Sequence, residues 1–319
     1  MTPSVETVLG PISTSELGFT LSHEHVVVSS AGIPHIYPEF IDRDNTIKES
    51  INILKKAKSN GIDTIIDVTT IDLGRDIHLL EHVSKESEIN IVCATGTWRD
   101  IPRAFWAASI DSIKSLYVKE IKQGIEDTQI KAGIIKVAND SEGITQEGEI
   151  ILRAAARAQM ETGAPISTHT WAPKRIGNDQ INIFLEEGVD LNRVYIGHSN
   201  DSTDIGYLKG IIEKGAWLGM DRYPGGRQPG TPDWEKRTEI LANLILDGYG
   251  EKIMLGHDWA VKLAIDSEKN EEIRKTNNPD GYLFIKHQVL PRLENFGVSQ
   301  IQIQNLMISN PYKFFSQIK

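Results

Sequence analysis

The chain has 319 residues, of which 39% are hydrophobic and 24% charged, the balance of an ordinary globular protein that forms its own core. A net charge of -10, with no run rich in lysine or arginine, argues against nucleic acid and anionic membrane surfaces as partners. The single cysteine, Cys93, excludes an intrachain disulfide. We expect neither a signal peptide nor a membrane-spanning helix, and therefore a cytoplasmic protein.

Short runs rich in β-branched and apolar residues recur along the chain, each followed by turn residues and then by a segment with helical periodicity. Eight such runs are predicted strands: Gly18–His25, Thr64–Val68, Ile89–Gly96, Ala132–Ala138, Pro165–Thr170, Arg193–His198, Ala216–Asp221 and Lys252–Asp258. Helices are predicted at Thr46–Ser59, Ser112–Gln123, Glu147–Glu161, Asp179–Glu187, Asp204–Lys214, Trp234–Asp247 and Tyr282–Phe296. Strand–helix alternation carried to eight units predicts an α/β fold, a (β/α)8 TIM barrel that spans residues 1–319 as a single domain.

The alternative to a barrel is a doubly wound open sheet. That fold commonly carries a glycine-rich phosphate turn, and the sequence contains neither a G-x-G-x-x-G nor a Walker-type motif. Residues 1–17 are predicted to form a hairpin or strap beneath the barrel. The segment from Asn310 to Phe315 is predicted to form a short final helix that packs on the outer layer.

Side chains with metal-binding chemistry are concentrated at the carboxyl ends of the predicted strands. Six residues make up this set: His23, His25, Lys136, His169, His198 and Asp258. In a parallel barrel these strand ends meet at one rim, where active sites form. Because side chains alternate along a strand, His23 and His25 point the same way, and Glu24 points into the helical layer. By the same alternation, His257 is predicted to point away from Asp258.

Lys136 is the unexpected member of the set, because it lies in an apolar strand, where burial of an ammonium group is costly. Three interpretations are open from the residues alone. The side chain can reach toward solvent and pair with an acid, or its desolvated amine can form a Schiff base, as in barrel aldolases. Alternatively, the amine can react with carbon dioxide to give a carbamate that bridges two metal ions. The surrounding histidines favour the carbamate.

A second pattern with zinc-ligand spacing is His78-Leu-Leu-Glu-His82, which matches the H-x-x-E-H arrangement of inverted zinc peptidases. It follows the second predicted strand, where a helix of the outer ring is expected. Such a helix lies away from the rim at which the other candidates meet. We therefore predict the metal centre at the strand ends and not at this pattern.

Motifs spread along the whole chain resemble those of the phosphotriesterase family of the amidohydrolase superfamily, including its lactonase branch. They are Gly18-Phe-Thr-Leu-Ser-His-Glu-His25, Gly124-Ile-Glu-Asp-Thr128 leading into Ala132-Gly-Ile-Ile-Lys-Val137, Pro165-Ile-Ser-Thr-His-Thr170, Ile196-Gly-His198, Gly219-Met-Asp-Arg-Tyr223 and His257-Asp-Trp259. The resemblance implies two divalent metal ions per chain, which in relatives are zinc, cobalt, iron or manganese. Imidazole and carboxylate ligands suit each of these metals.

The resemblance also assigns roles to the six candidates. It implies that His23, His25 and Asp258 hold the buried ion, that His169 and His198 hold the more exposed one, and that Lys136, carboxylated by carbon dioxide, bridges both. Hydrolysis then proceeds by attack of a bridging hydroxide, and Asp258 takes up the proton.

Candidate substrate-binding residues are Trp98, Arg99, Arg222, Tyr223 and Trp259, together with the segment Pro224–Pro232. Asp221-Arg-Tyr223 resembles the lactonase branch, whereas Trp98, Trp259 and the stretch Val261–Asp280 are more similar to the triesterase branch. We expect a lactone or related ester as the substrate, with slower hydrolysis of aryl phosphotriesters (organophosphates).

Three other functions are alternatives to this expectation. They are a true phosphotriesterase, a Schiff-base aldolase that uses Lys136, and a non-catalytic binding barrel. Relatives are commonly homodimers, and the resemblance implies a homodimer here as well.

Overall fold

The computed structural model describes residues 3–225, 228–264 and 267–316. Two predicted segments therefore have residues outside the described ranges: 226 and 227 of Pro224–Pro232, and 265 and 266 of Val261–Asp280. Residues 1 and 2 of the predicted strap lie outside them too.

Parallel strands form a closed sheet at the centre of the described structure. Their bounds are β3 Thr20–Val28, β4 Thr64–Asp67, β5 Asn90–Gly96, β6 Ile134–Ala138, β7 Ile166–His169, β8 Val194–Ile196, β9 Trp217–Met220, β10 Ile253–Leu255 and β11 Ala260–Leu263. From β3 to β10 each strand pairs with the next one along the chain. Because β11 pairs in parallel with β3, the first and last strands meet. The predicted (β/α)8 barrel is confirmed.

Helices cover the outside of the sheet and alternate with its strands. Their bounds are α1 Ile33–Ile36, α2 Arg43–Ser59, α3 Ile77–Ser87, α4 Ile110–Lys122, α5 Gln146–Thr162, α6 Ile176–Glu186, α7 Ile205–Glu213, α8 Trp234–Leu244, α9 Glu268–Asn277, α10 Leu290–Asn295, α11 Gln300–Gln304 and α12 Asn310–Ser316. Several begin at a polar residue whose side chain accepts a backbone N–H of the first turn, as Asp76 does for α3 and Thr145 for α5. None of the described helices is both long and apolar enough to cross a membrane.

His78 and His82 lie on α3, and both side chains are exposed on the outer layer of the barrel. The helix thus keeps them away from the mouth, as the sequence predicted. The H-x-x-E-H pattern in this chain belongs to an amphipathic helix whose opposite face is buried.

The eighth strand differs from its prediction as Lys252–Asp258. It is interrupted: β10 ends at Leu255, an irregular link follows, and β11 begins at Ala260. Asp258 lies in this link with a φ of 52°, a left-handed conformation that a continuous strand does not contain. Correspondingly, β3 extends beyond His25 to Val28, because its last residues pair with β11.

The first and last described residues lie near the amino-terminal end of the barrel strands, here called the lower end of the barrel. A hairpin of β1 Ser4–Thr7 and β2 Gly10–Ser13 contributes Val5 to the apolar cluster there. The final helix α12 forms, but its predicted position on the outer layer is wrong. Phe314 packs on the rings of Tyr195 and Trp217, at centroid distances of 6.2 and 5.6 Å, because the interior of a barrel must be filled by side chains.

Candidate metal centre

The barrel brings all six predicted ligand candidates together at its carboxyl-terminal mouth. Asp258 Oδ1 lies 3.4 Å from His25 Nε2 and 3.7 Å from His23 Nε2. Lys136 Nζ lies 3.3 Å from His23 Nε2. The remaining two imidazoles, of His169 and His198, stand with ring centroids 4.5 Å apart. Residues separated by more than 200 positions in sequence thus share one cluster.

Two of the histidines are oriented by side chains from the neighbouring loops. His25 Nδ1 lies 2.8 Å from the hydroxyl oxygen of Thr69, which leaves Nε2 toward the cluster. His169 uses the other ring nitrogen, Nε2, which is 3.0 Å from Asp140 Oδ2. Partners of this kind fix the rotation and tautomer of an imidazole, as they do for histidines that bind metals.

Asp221 orients the other two histidines. Its Oδ1 accepts hydrogen bonds from the backbone N–H and the Nδ1–H of His198, at 2.6 and 3.0 Å, and its Oδ2 lies 2.9 Å from His23 Nδ1. The hydroxyl of Tyr195 donates a further bond to Oδ2. Burial alone raises the pKa of Asp221, but the two histidines outweigh it and hold that pKa well below its usual range. One ionised carboxylate therefore sets the direction of both imidazoles.

Burial also determines the charge of the imidazoles. It lowers the pKa of His23 to about 4, with a further contribution from the charge of Lys136, and it lowers the pKa of His169 to about 4. The pKa of His198 is also well below its usual value, chiefly through burial. Neutral imidazoles offer a lone pair, which is the form that binds a metal ion.

Lys136 is fully enclosed, with 1% of its surface exposed. Among the described residues, no carboxylate oxygen lies within salt-bridge distance of its Nζ, which argues against the interpretation that it reaches solvent and pairs with an acid. Burial lowers its pKa to about 7. A lysine in this environment has a large neutral fraction near neutral pH, and a neutral amine is the form that reacts with carbon dioxide.

The carboxylate of Asp258 is held by an arginine as well as by the histidines. Arg222 Nε donates a hydrogen bond to Asp258 Oδ2 at 3.0 Å. Burial alone raises the pKa of Asp258, but His198, His25 and Arg222 outweigh it and hold the pKa well below its usual range. One oxygen thus faces the imidazoles while the other is bound by the guanidinium.

Glu24 and His257, which alternation places outside the barrel, contact each other there. Glu24 Oε1 accepts hydrogen bonds from the backbone N–H and the Nδ1–H of His257, at 2.8 and 2.6 Å. Its Oε2 accepts from the backbone N–H of Trp259 at 3.2 Å. The fully buried carboxylate therefore holds the backbone on both sides of Asp258.

A cavity of about 130 Å³ opens above the cluster. Trp98 and Arg222, two of the predicted substrate-binding residues, line it, and Trp98 packs edge-on against His169 at a centroid distance of 5.7 Å. Its apolar wall also includes residues that the sequence did not single out: Val28, Leu73, Ala260 and Leu263.

Tyr223 and Trp259, the other two predicted substrate-binding residues, do not line this cavity. Tyr223 is completely buried, since it follows Arg222 and faces the opposite way. Trp259 lies between Asp258 and Ala260, which both line the cavity, and its own ring packs outside it against the Arg274 guanidinium, 4.2 Å from the ring centroid. Arg99 lies beside the mouth, where it bonds Asp140.

The orienting residues were missed by reasoning from the sequence, although a signal for two of them was present. Asp221 ends a predicted strand, and Asp140 follows another, so both carboxylates occupy the rim where the ligands were sought. Glu24 gave no such signal, because alternation removed it from the barrel interior.

The donor set fits divalent transition metals. His23, His25 and Asp258 place one donor atom each within 4.8 Å of one another, and so do His23, His198 and Asp221. In the second group, Asp221 already accepts hydrogen bonds from His198 and Tyr195 and lies beside the ring nitrogen of His23, so we assign it to orienting the histidines. Four imidazoles, one carboxylate and a buried lysine could together hold two such ions.

Comparison with known proteins agrees with this geometry. The model of the phosphotriesterase family matches residues 3–315. A "Phosphotriesterase homology protein" of Mycobacterium tuberculosis is 42% identical over 99% of this chain and 98% of its own length. An "Aryldialkylphosphatase" of Saccharolobus solfataricus is 39% identical, covering 96% and 97% of the two chains. An "N-acetyltaurine hydrolase" of Dictyostelium discoideum is 34% identical over 86% of this chain and 75% of its own.

Among solved structures, that of the phosphotriesterase from Mycobacterium tuberculosis superposes with a TM-score of 0.92 at 41% sequence identity, and the match covers 98% of both chains. The family match therefore extends over the barrel and over every candidate ligand. The chain is a hydrolase and belongs to the phosphotriesterase family.

Proposed function

We propose that the chain hydrolyses small lactones or related esters at a two-metal centre, with slower hydrolysis of aryl phosphotriesters. The observation that carries this proposal is the small, apolar-walled cavity directly above the clustered ligands, with Arg222 as the guanidinium that contacts Asp258. Such a cavity suits an uncharged, compact substrate.

The roles of the ligands follow from their positions. His23, His25 and Asp258 would hold one ion, and His169 and His198 the other. Two such ions, when bound, would supply a hydroxide at neutral pH and polarise the bond to be cleaved. The neutral amine of Lys136 would attack the carbon of carbon dioxide, form an N–C bond and release a proton, and the resulting carbamate has two oxygens with which to bridge the ions.

Asp258 and Arg222 carry the proton chemistry. Arg222 donates to Oδ2 and thereby orients the carboxylate with Oδ1 toward the imidazoles. Oδ1 can take the proton of the attacking water and give it to the leaving oxygen when the ring or ester opens. The side chains of Leu73, Trp98 and Leu263 line the cavity in which this transfer would take place.

The size of the cavity supports an ester over a phosphotriester. A phosphotriester carries three substituents around a tetrahedral centre, and each needs space, whereas a lactone ring presents one compact body. The 39% identical aryldialkylphosphatase supports phosphotriester hydrolysis as the second candidate.

The test is a pH-indicator screen with γ- and δ-lactones of varied chain length, an aryl dialkyl phosphotriester and N-acetyltaurine. We expect kcat/KM for the best lactone to exceed that for the phosphotriester by about tenfold or more, which corresponds to about 1.4 kcal/mol of transition-state binding. Faster turnover of the phosphotriester, or of N-acetyltaurine, would overturn the substrate assignment and leave the metal centre intact.

We also propose a homodimer. Ile36, Tyr37 and Phe40, next to one another on and after α1, have 65%, 49% and 61% of their surface exposed, and an apolar patch of this kind is typical of an interface. Replacing Phe40 by glutamate places a charge in the patch, and we expect it to shift the wild-type dimer toward monomer in sedimentation analysis. Leu185→Glu, an exposed apolar residue on α6, is the matched control. A monomeric wild type would contradict the proposal.

A further inference from the structure

Arg237, on α8, lies two side chains away from the ligand cluster and has no direct contact with it. We propose that Arg237 is a positioning residue, which couples Gly225 and Pro232 to Asp258 through Asp201 and Arg222. This inference rests on the hydrolytic role proposed for Asp258.

The coupling consists of four alternating charges in direct contact. Arg222 Nε lies 3.0 Å from Asp258 Oδ2, and Arg222 Nη1 lies 2.7 Å from Asp201 Oδ2. The second oxygen of Asp201, Oδ1, lies 2.7 Å from Arg237 Nη2. Asp201 therefore gives one oxygen to each guanidinium and cannot move toward either without leaving the other.

Burial makes each link in this series strong. The side chains of Arg237 and Asp201 are 1% and 3% exposed, and that of Arg222 is 14% exposed. With little water to replace a lost partner, a broken contact leaves a buried charge unpaired. Two arginines and two carboxylates balance one another, so the removal of one charge disturbs all four.

The segment after Tyr223 is attached to the far end of the series. Arg237 Nε donates a hydrogen bond to the carbonyl oxygen of Pro232 at 2.8 Å. A Cβ atom on Gly225 would stand 2.0 Å from Arg237 Nε, so the backbone there lies directly against the guanidinium. Gly225 also has a φ of 79°, which favours glycine. Both described parts of the segment are therefore in contact with Arg237.

The near end of the series is attached to the candidate ligands. Asp201 belongs to the short turn Ser199–Asp201 that directly follows His198, and its backbone N–H donates to the His198 carbonyl. If Arg237 is removed, Asp201 is free to bind Arg222 with both oxygens. Arg222 then shifts away from Asp258, whose carboxylate loses its orientation. We therefore expect the chemical step to slow while the metal ligands stay in place.

The experiment compares Arg237→Gln and Arg237→Lys with Arg193→Gln in the metal-loaded enzyme. Arg193 is a matched control, because it is also a buried arginine but lies at the lower end of the barrel, where it donates to the Phe314 carbonyl. We expect Arg237→Gln to lower kcat about tenfold, with KM and bound metal within about twofold of wild type. Arg237→Lys keeps the charge beside Asp201 and is expected to recover part of kcat, whereas Arg193→Gln lowers only the Tm.

A purely structural role for Arg237 predicts a different result, in which Arg237→Gln lowers the Tm and leaves kcat per metal-loaded chain at the Arg193→Gln value. That result would overturn the inference.

Amide hydrogen exchange tests the coupling through Arg237 independently of the proposed function. Even if the wild type hydrolyses none of the screened substrates, residues 255–259 are expected to exchange faster in Arg237→Gln than in Arg193→Gln. Equal exchange in both variants would equally refute the coupling.

Discussion

Replacing Lys136 by methionine is expected to lower bound divalent metal from about two ions per chain to fewer than one and to abolish hydrolysis. Methionine is close to lysine in length and suits an apolar strand, so the change removes the amine and little else. Without the amine no carbamate forms, and the two groups of histidines lose the anion that would join them and balance the charge of two cations. The imidazoles of His23 and His169 bring no charge of their own, since burial lowers the pKa of each to about 4.

The same substitution is expected to stabilise the metal-free chain by about 1–3 kcal/mol, because a buried ammonium without a carboxylate partner is costly. A fall in bound metal together with a rise in the stability of the metal-free chain distinguishes a functional lysine from a structural one. Metal analysis, chemical denaturation after chelation, and the carbon-13 signal of labelled bicarbonate bound to the wild type measure these effects.

Lys252→Met is the matched control for Lys136→Met. Lys252 is half-buried, whereas Lys136 is fully enclosed, and it precedes β10 at the opposite end of the barrel, where it donates to the Gly215 carbonyl. We expect this variant to keep both ions. Full metal loading of Lys136→Met would show that the lysine does not bridge them.

The barrel and its ligands could be predicted because both follow from simple periodicities. Apolar runs that alternate with helical segments define the strands. The parallel arrangement then brings His169 and His198 to one rim, independently of the conformation of the loops. Alternation within β3 correctly separated His23 and His25 from Glu24. Family membership further favours a hydrolase over the aldolase and the non-catalytic barrel that the residues alone left open.

The break in the eighth strand could not be predicted, because the pairing of its second part with β3 joins residues more than 230 positions apart in sequence. Trp259, which alternation along the chain could have placed outside the barrel with His257, packs against Arg274 and does not line the cavity. Ion pairs between residues far apart in sequence could not be predicted either. Arg222 meets Asp201 and Asp258 only because three loops fold over one mouth.

Glu24 stands between two metal-ligand candidates in sequence, yet it acts on the opposite side of the barrel wall. Its carboxylate is completely buried, and burial raises its pKa although the nearby His257 lowers it. The two oxygens together accept three N–H groups, from the backbone and ring of His257 and from the backbone of Trp259. These bonds hold the residues on either side of Asp258 and so stabilise its left-handed conformation.

Glu24→Gln is therefore expected to reduce both stability and catalysis. Glutamine has the same size but replaces one acceptor oxygen by an NH2 group, which then faces an N–H donor. We expect the free energy of unfolding to fall by about 2–4 kcal/mol. We also expect the Asp258 carboxylate to be displaced by about 1 Å. A displacement of that size is expected to lower kcat by about 100-fold.

Glu120→Gln separates these two effects. Glu120 on α4 pairs with the buried guanidinium of Arg75 through both oxygens, at 2.7 and 2.8 Å, in the outer layer of the barrel. Its substitution also breaks a buried ion pair, so the unfolding free energy falls. Among the described residues neither Glu120 nor Arg75 bonds a candidate ligand directly, and kcat is expected to stay within about twofold of wild type. Denaturant titrations and kcat measured per metal-loaded chain give both quantities. If Glu24→Gln behaves like Glu120→Gln, then Asp258 keeps its conformation without the Glu24 carboxylate, because the link between β10 and β11 is rigid enough by itself.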